Sequence, residues 1–277
     1  MKRVGLILAK ALALFIVLLV GQVAGGLLFF HGAPKAFTDT GPLDASQALL
    51  VANAADAIIL TVLAGSMRTR GWSLGLLSAG VLFMVQTGLS MIETVVFNGD
   101  IGMSNAVVVG VVAAGLVRDA LAGAAVALLW RGTSEAGLKL TGLFWKAPLV
   151  GIFYIVCYFA AGALIAWPHA AVRAFYAHVG QINFGLLLSV QFVRGLAWCA
   201  IAWFMARSLT GPARRAALLT GLAFAGFTFP QLLLPNPVMP WPVRSAHMEE
   251  IGVSNFVFGA IITLLLRMGA KEPAAAN

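Results

Sequence analysis

Residues 1–30, MKRVGLILAKALALFIVLLVGQVAGGLLFF, set Lys2 and Arg3 ahead of an apolar run that holds a single charge, Lys10, before it ends at Phe30. A secretory signal shares this order of basic and apolar regions, but its apolar core is about 7–15 residues and closes on a small-residue cleavage site. Here the run continues to Phe30 with no clear A-x-A site after it, so it reads as an uncleaved first membrane span. About 20 apolar residues in a helix cross a hydrocarbon core of about 30 Å.

The same pattern recurs along the chain. Apolar runs occupy roughly 4–30, 46–66, 72–97, 104–130, 143–168, 184–206, 213–234 and 248–268. With 61% hydrophobic and 10% charged residues among 277, the composition excludes an ordinary soluble domain. The expected fold is an all-α integral membrane protein of eight transmembrane helices. No stretch between runs is long enough for a soluble domain, so any chemistry must be built from helices and short loops.

The net charge of +8 is explained by where the basic residues fall. Lys2, Arg3, Arg68, Arg70, Arg131, Lys139, Arg207, Arg214, Arg215, Arg267 and Lys271 belong to one side, against Lys35, Arg173 and Arg244 on the other. This is the positive-inside bias for an even number of spans, with both termini cytoplasmic in a multi-pass protein of a bacterial-type inner membrane. The charge therefore reads as topology and not as nucleic-acid binding. Trp72, Trp130 and Trp145 fall at the cytoplasmic helix ends, and Trp167 and Trp241 at the opposite ends, as an aromatic belt requires.

Two segments resemble each other. GDIGMSNAVVVG (Gly99–Gly110) and EEIGVSNFVFG (Glu249–Gly259) each start the fourth apolar run of a set of four. Asn53 and Asp56 in the second run are matched by Gln191 and Arg194 in the sixth, Lys10 by Lys146, and Arg118 by Arg267. The expectation is a 4+4 parallel internal repeat, residues 1–138 and 139–277, about a pseudo-two-fold along the membrane normal. Arg118 lies well inside its run whereas Arg267 closes its own, which predicts a fourth helix that is longer, tilted or broken near Arg118 and Asp119.

An ionisable group in mid-membrane costs on the order of 2.5–3.5 kcal/mol, so it faces the bundle interior and finds partners. Asp56, Arg118, Asp119 and Arg194 fit that description. Helical spacing puts Gln86, Ser90 and Glu93 on one stripe, Gln191, Arg194 and Trp198 on another, and Asn53 with Asp56 on a third. Asn53, Asp56, Gln86, Glu93, Gln191 and Arg194 are thus the expected members of a substrate or proton pathway at the midplane, with Asp56 and Arg194 facing each other from opposing repeats. A buried salt bridge that only fixes helix register is the alternative, and the one favoured for Arg118 and Asp119.

At the outer ends, Asp100, Ser104, Asn105, Glu250, Ser254 and Asn255 read as helix-start elements. Capping explains such residues, since the first amides of any helix need acceptors; alternatively, two converging N-termini offer amides to an anionic ligand. His31, His169, His178 and His247 lie in the same outer layer, and only His247 with Glu250 forms a pair that a metal or an acid–base reaction could use, without an established ligand spacing. HAAVRAFYAH reads as a short interfacial helix with His169, Arg173 and Tyr176 toward water and Val172 and Phe175 toward lipid. LLLPNPVMPWPVRSAH, with Pro235, Pro237, Pro240 and Pro242, reads as a stiff outer connection, and Pro230 predicts a kink before it. Cys157 and Cys199 lie inside apolar runs as space-filling residues.

There is no H-E-x-x-H, P-loop or dinucleotide fingerprint, and no cofactor and no catalytic residue is assigned. The leading expectation is a small carrier or permease with a polar site between two four-helix repeats, its partners the lipid bilayer and a small-molecule or anionic ligand. The first rival is a membrane-embedded enzyme with an outer site of Glu93, His247, Glu249 and Glu250. The second is a non-catalytic scaffold or assembly protein, for which Gly21-x-x-x-Gly25 supplies a close-packing surface.

Overall fold

A computed structural model describes residues 2–30, 41–97, 104–177, 183–235 and 239–271. Among them lie eight helices long and apolar enough to cross a membrane, and no strand. The spans are α1 (Lys2–Phe29), α2 (Ala45–Gly65), α3 (Gly71–Val96), α4 (Asn105–Leu129), α5 (Leu143–Ala166), α7 (Phe184–Ser208), α8 (Ala213–Gly226, continued by a 3-10 turn at Phe229–Leu233) and α9 (Trp241–Arg267); a short α6 (Ala170–Tyr176) follows α5. The chain is a polytopic, multi-pass membrane protein with apolar helix faces turned to lipid.

Helix ends follow local chemistry. Asp44 and Gln47 close a capping box on α2, with Gln47 N donating to Asp44 Oδ1 at 2.9 Å and Asp44 N to Gln47 Oε1 at 3.2 Å. Ser104 and Asn183 cap α4 and α7 through the amides of Val107 (3.3 Å) and Leu186 (3.0 Å). α8 ends at Gly226, and Pro230 falls at the start of the 3-10 turn, where its missing N–H costs nothing. The expected kink is therefore a change of helix type. Thr228 Oγ1 donates to the carbonyls of Phe224 (2.8 Å) and Ala225 (2.9 Å) at the end of the helix.

The structure departs from the sequence expectations at four places. The last span begins at Trp241, about two turns before the expected start at 248, because Pro240 serves as its cap and Pro242 sits in the first turn, where proline is favoured. α4 runs unbroken through Arg118 and Asp119. Arg244, assigned to an outer loop, is fully buried and donates from Nη1 to the carbonyls of Leu232, Leu233 and Leu234 at 2.7–3.2 Å, closing the end of the 3-10 turn. Trp130 also turns inward, with Lys10 Nζ 4.3 Å from its ring centroid.

α4 packs on α1 and α3, and α9 packs on α8 and α5; α2 lies on α1, and α7 on α5. Glycines set the closest approaches. A Cβ on Gly21 would stand 2.9 Å from Arg118 Cα, and one on Gly25 2.9 Å from Ala114 Cα. The Gly21-x-x-x-Gly25 surface is thus occupied by α4 of the same chain. Gly75 and Gly123 meet in the same way between α3 and α4, and a Cβ on Gly123 would stand 2.6 Å from Gly75 O.

Helices α1–α4 meet α5–α9 where α2 packs on α8 and the C-terminal part of α3 packs on α7. At the end rich in basic residues, the chain leaving α2 pairs with the chain leaving α7. Arg68 N donates to Ser208 O (2.6 Å) and Thr210 N to Ser66 O (2.8 Å), an antiparallel bridge at Met67 and Leu209. A second bridge joins Lys139 to Lys271, and Arg267 donates to the carbonyls of Ala206, Leu209 and Gly211. α2 and α8 are the most enclosed spans and α1 the least.

Candidate functional site: two charge networks between the helices

Asp56, on α2, is fully buried. Its carboxylate accepts from Arg118 on α4, from Gln86 Nε2 on α3 at 2.7 Å, and from Gln231 Nε2 at 3.2 Å in the turn that follows α8. Arg118 also donates to Gln86 Oε1, so the amide joins both members of the ion pair. A carboxylate removed from water needs this number of donors, because an ion pair alone seldom offsets the desolvation of both charges. Asn53 does not join. Its amide donates to Leu49 O of its own helix at 2.9 Å.

Arg118 faces a second acid. Asp119 is 1% exposed, its Oδ1 lies 3.9 Å from Arg118 Nε, and neither carboxyl oxygen has a hydrogen-bond partner among the described residues. One guanidinium is thus placed between two buried carboxyls, only one of which receives hydrogen bonds.

The second network is built on Glu93 of α3. It accepts from Arg194 on α7, from Gln191 Nε2 at 3.1 Å and from Tyr158 Oη of α5 at 2.9 Å. Arg194 Nη1 also donates to Gln191 Oε1 at 2.8 Å, and its guanidinium lies 5.6 Å from the Tyr154 ring centroid. The Glu93 side chain keeps 27% of its surface exposed, against none for Asp56.

Gln86 and Glu93 were expected on one stripe with Ser90, yet they serve different networks. The cause is a π-helical turn at Met84–Gly88, where Leu89 N bonds Met84 O. One extra residue in the turn rotates everything after it, so Gln86 faces α2 and α4 while Glu93 faces α5 and α7. Ser90 bonds backward to Gln86 O (3.2 Å) and Thr87 O (2.9 Å) of the turn itself. Trp198, expected on the Arg194 stripe, is buried against Phe224 with ring centroids 4.3 Å apart. Asp56 and Arg194, expected to face each other, have separate partners.

A third group lies at the end of the bundle opposite the basic residues. His247 Nδ1 is 2.6 Å from Glu250 Oε2, and its Nε2 is 3.1 Å from Tyr176 Oη on α6. Burial first, then the Glu250 and Glu93 carboxylates, push the Tyr176 phenol up to about 12. This geometry corrects the expected faces of α6: Tyr176 points at His247, and Val172 packs inside with Ala166, Val243 and Ala246. His169 and Glu249 make only an exposed contact at 3.7 Å. No group of three His, Cys, Asp or Glu side chains among the described residues is arranged to hold a metal.

The paired helix-start elements separate as well. Ser104 caps α4 and Asn105 opens it, whereas Glu250, Ser254 and Asn255 lie well inside α9, where backbone amides are already bonded. The second copy therefore presents no helix N-terminus to an anion. Asn255 Nδ2 instead donates to Thr228 Oγ1 at 3.1 Å and ties α9 to the end of α8. Asp100, His31 and His178 lie outside the described residues.

Tyr158, Tyr176 and the Arg118 contact to Asp56 were not assigned from sequence. A tyrosine in an apolar run gives no signal of its partner, and neither does Gln231 beside Pro230. Compared with family models, with curated protein sequences and with solved structures, the chain matches none.

Proposed function

We propose that the protein is a small membrane carrier whose two four-helix halves move against each other around these two networks. The observation that carries the reading is that each network crosses between the halves: Gln231 reaches over to Asp56, and Glu93 reaches over to Arg194. Polar groups shared between two packed bodies are the contacts that must break and re-form when an interior site is opened to alternate sides. A 4+4 parallel repeat is supported by the packing, since α4 sits on α1 and α3 as α9 sits on α5 and α8, and α2 meets α8 as α7 meets α3. The bridge at Met67 and Leu209 then lies beside the pseudo-axis.

In this reading Arg194 and Glu93 form the partly open substrate contact, while Asp56, Arg118 and Asp119 form the closed one, with Asp119 as acceptor for a proton or a cationic group. The substrate contact is tested in liposomes by screening small organic acids, amino acids and sugars for saturable uptake. Uptake of at least one class is expected, falling about tenfold or more in both Arg194→Gln and Glu93→Gln. Saturable uptake that is unchanged in Arg194→Gln, or none across the panel, rejects the reading.

A second reading rests on the outer chain of Tyr176, His247 and Glu250. An imidazole held by a carboxylate and touching a hydroxyl is the arrangement that activates a nucleophile or shuttles a proton. A membrane enzyme built on it loses turnover in His247→Ala while transport assays stay silent.

A further inference from the structure

Between α3 and α7, at the end of the bundle rich in basic residues, lies a cleft of about 640 Å³, within the range of ordinary ligand sites. Its long walls are apolar, formed by Leu77, Val81 and Met84 on one side and Ala197, Ile201 and Phe204 on the other. Leu76 and Phe204 at its rim are 72% and 51% exposed, so the cleft opens sideways to the lipid. Its mouth is polar, with Thr69, Ser73, Arg207 and Ser208. From Ser73 to Met84 a helix rises about 16 Å, enough for a long stretch of one hydrocarbon chain.

The mouth offers donors that the protein leaves unused. Thr69 Oγ1 is buried without a hydrogen-bond partner. The Arg207 guanidinium rests 4.7 Å from the Trp203 ring centroid and donates no hydrogen bond to the described residues. An apolar slot ending in a hydroxyl and a stacked guanidinium, open to the bilayer, is complementary to an amphiphile with an anionic head.

We propose that this cleft binds one anionic phospholipid, with its phosphate on Arg207 and Thr69 and one acyl chain along the groove to Met84. Met84 opens the π turn that presents Gln86 to Asp56 and Arg118, so the occupied groove buttresses the turn from the lipid side. The site is distinct from both charge networks and does not depend on the carrier reading.

The test is native mass spectrometry of the detergent-solubilised full chain, titrated with phosphatidylglycerol or with phosphatidylcholine of the same acyl chains. Wild type is expected to retain phosphatidylglycerol preferentially. Arg207→Gln is expected to weaken it about fivefold, the worth of one basic residue facing anionic lipid, and to leave phosphatidylcholine unchanged. Ala200→Trp, at an exposed position that fills the groove, is expected to displace both lipids; Thr69→Val provides a milder variant of the mouth with reduced phosphatidylglycerol preference. Equal retention of the two lipids by wild type, or undiminished phosphatidylglycerol binding in Ala200→Trp or Arg207→Gln, overturns the proposal.

Discussion

Exchanging Asp56 and Arg118 singly and together tests the inner network most directly. Asp56→Asn leaves the Arg118 guanidinium buried, with Gln86 Oε1 as acceptor and the Asp119 carboxyl 3.9 Å away. Arg118→Met leaves the Asp56 carboxylate with two amide donors, Gln86 at 2.7 Å and Gln231 at 3.2 Å. Removing one partner of a buried pair typically costs about 3–5 kcal/mol, and the remaining amides hold each single change near the lower end, about 3 kcal/mol. On the scale of soluble chains of comparable size that is a fall of about 6 °C or more in melting temperature. The double change removes both charges, so a coupling of about 1–3 kcal/mol is expected. Asp56 and Arg194 share no hydrogen-bond partner, and their cycle is expected to close within about 0.5 kcal/mol. Thermal unfolding in detergent measures both cycles. A larger coupling for Asp56 with Arg194 than for Asp56 with Arg118 would refute the assignment of partners.

Gly75→Ala is expected to destabilise by about 1–3 kcal/mol, because its Cβ would strike Gly123 O. Gly80→Ala on the same helix, with nothing within 4 Å of the new methyl, is expected to be neutral or stabilising; equal melting losses in the two variants would contradict the packing of α3 on α4. Tyr176 holds its proton above the usual value of 10.0, up to about 12, so ionisation favours the unfolded chain between those values. Stability from this phenol is complete below about pH 10 and is lost as pH rises through about 12. A tyrosinate absorbance difference between wild type and Tyr176→Phe that titrates near pH 10 would show that the phenol is not enclosed with His247 and Glu250.

The stripes of Gln86 with Glu93 and of Gln191 with Arg194 show how far helical spacing carries and where it stops. Gln191 and Arg194 do meet one carboxylate, because α7 is regular between them. Gln86 and Glu93 do not, because the π turn between them leaves no trace in residue identity: Met84, Val85, Gln86, Thr87 and Gly88 also suit an ordinary helix. The segment EEIGVSNFVFG fails as a helix start for a similar reason, since Pro240 and Pro242, read as loop residues, serve equally well as the cap and first turn of a longer helix.

The sequence alone determined the eight spans and the gathering of basic residues at one end, because crossing a bilayer is a demand on composition and length that each segment meets by itself. It also marked Asp56, Arg118, Asp119 and Arg194 as residues needing partners, since a charge among apolar neighbours is costly wherever it goes. Which partner each one takes was decided only by the tertiary structure. Pairing depends on how α2, α3, α4 and α7 rotate and approach one another, and that is set by glycine contacts and the widened turn of α3.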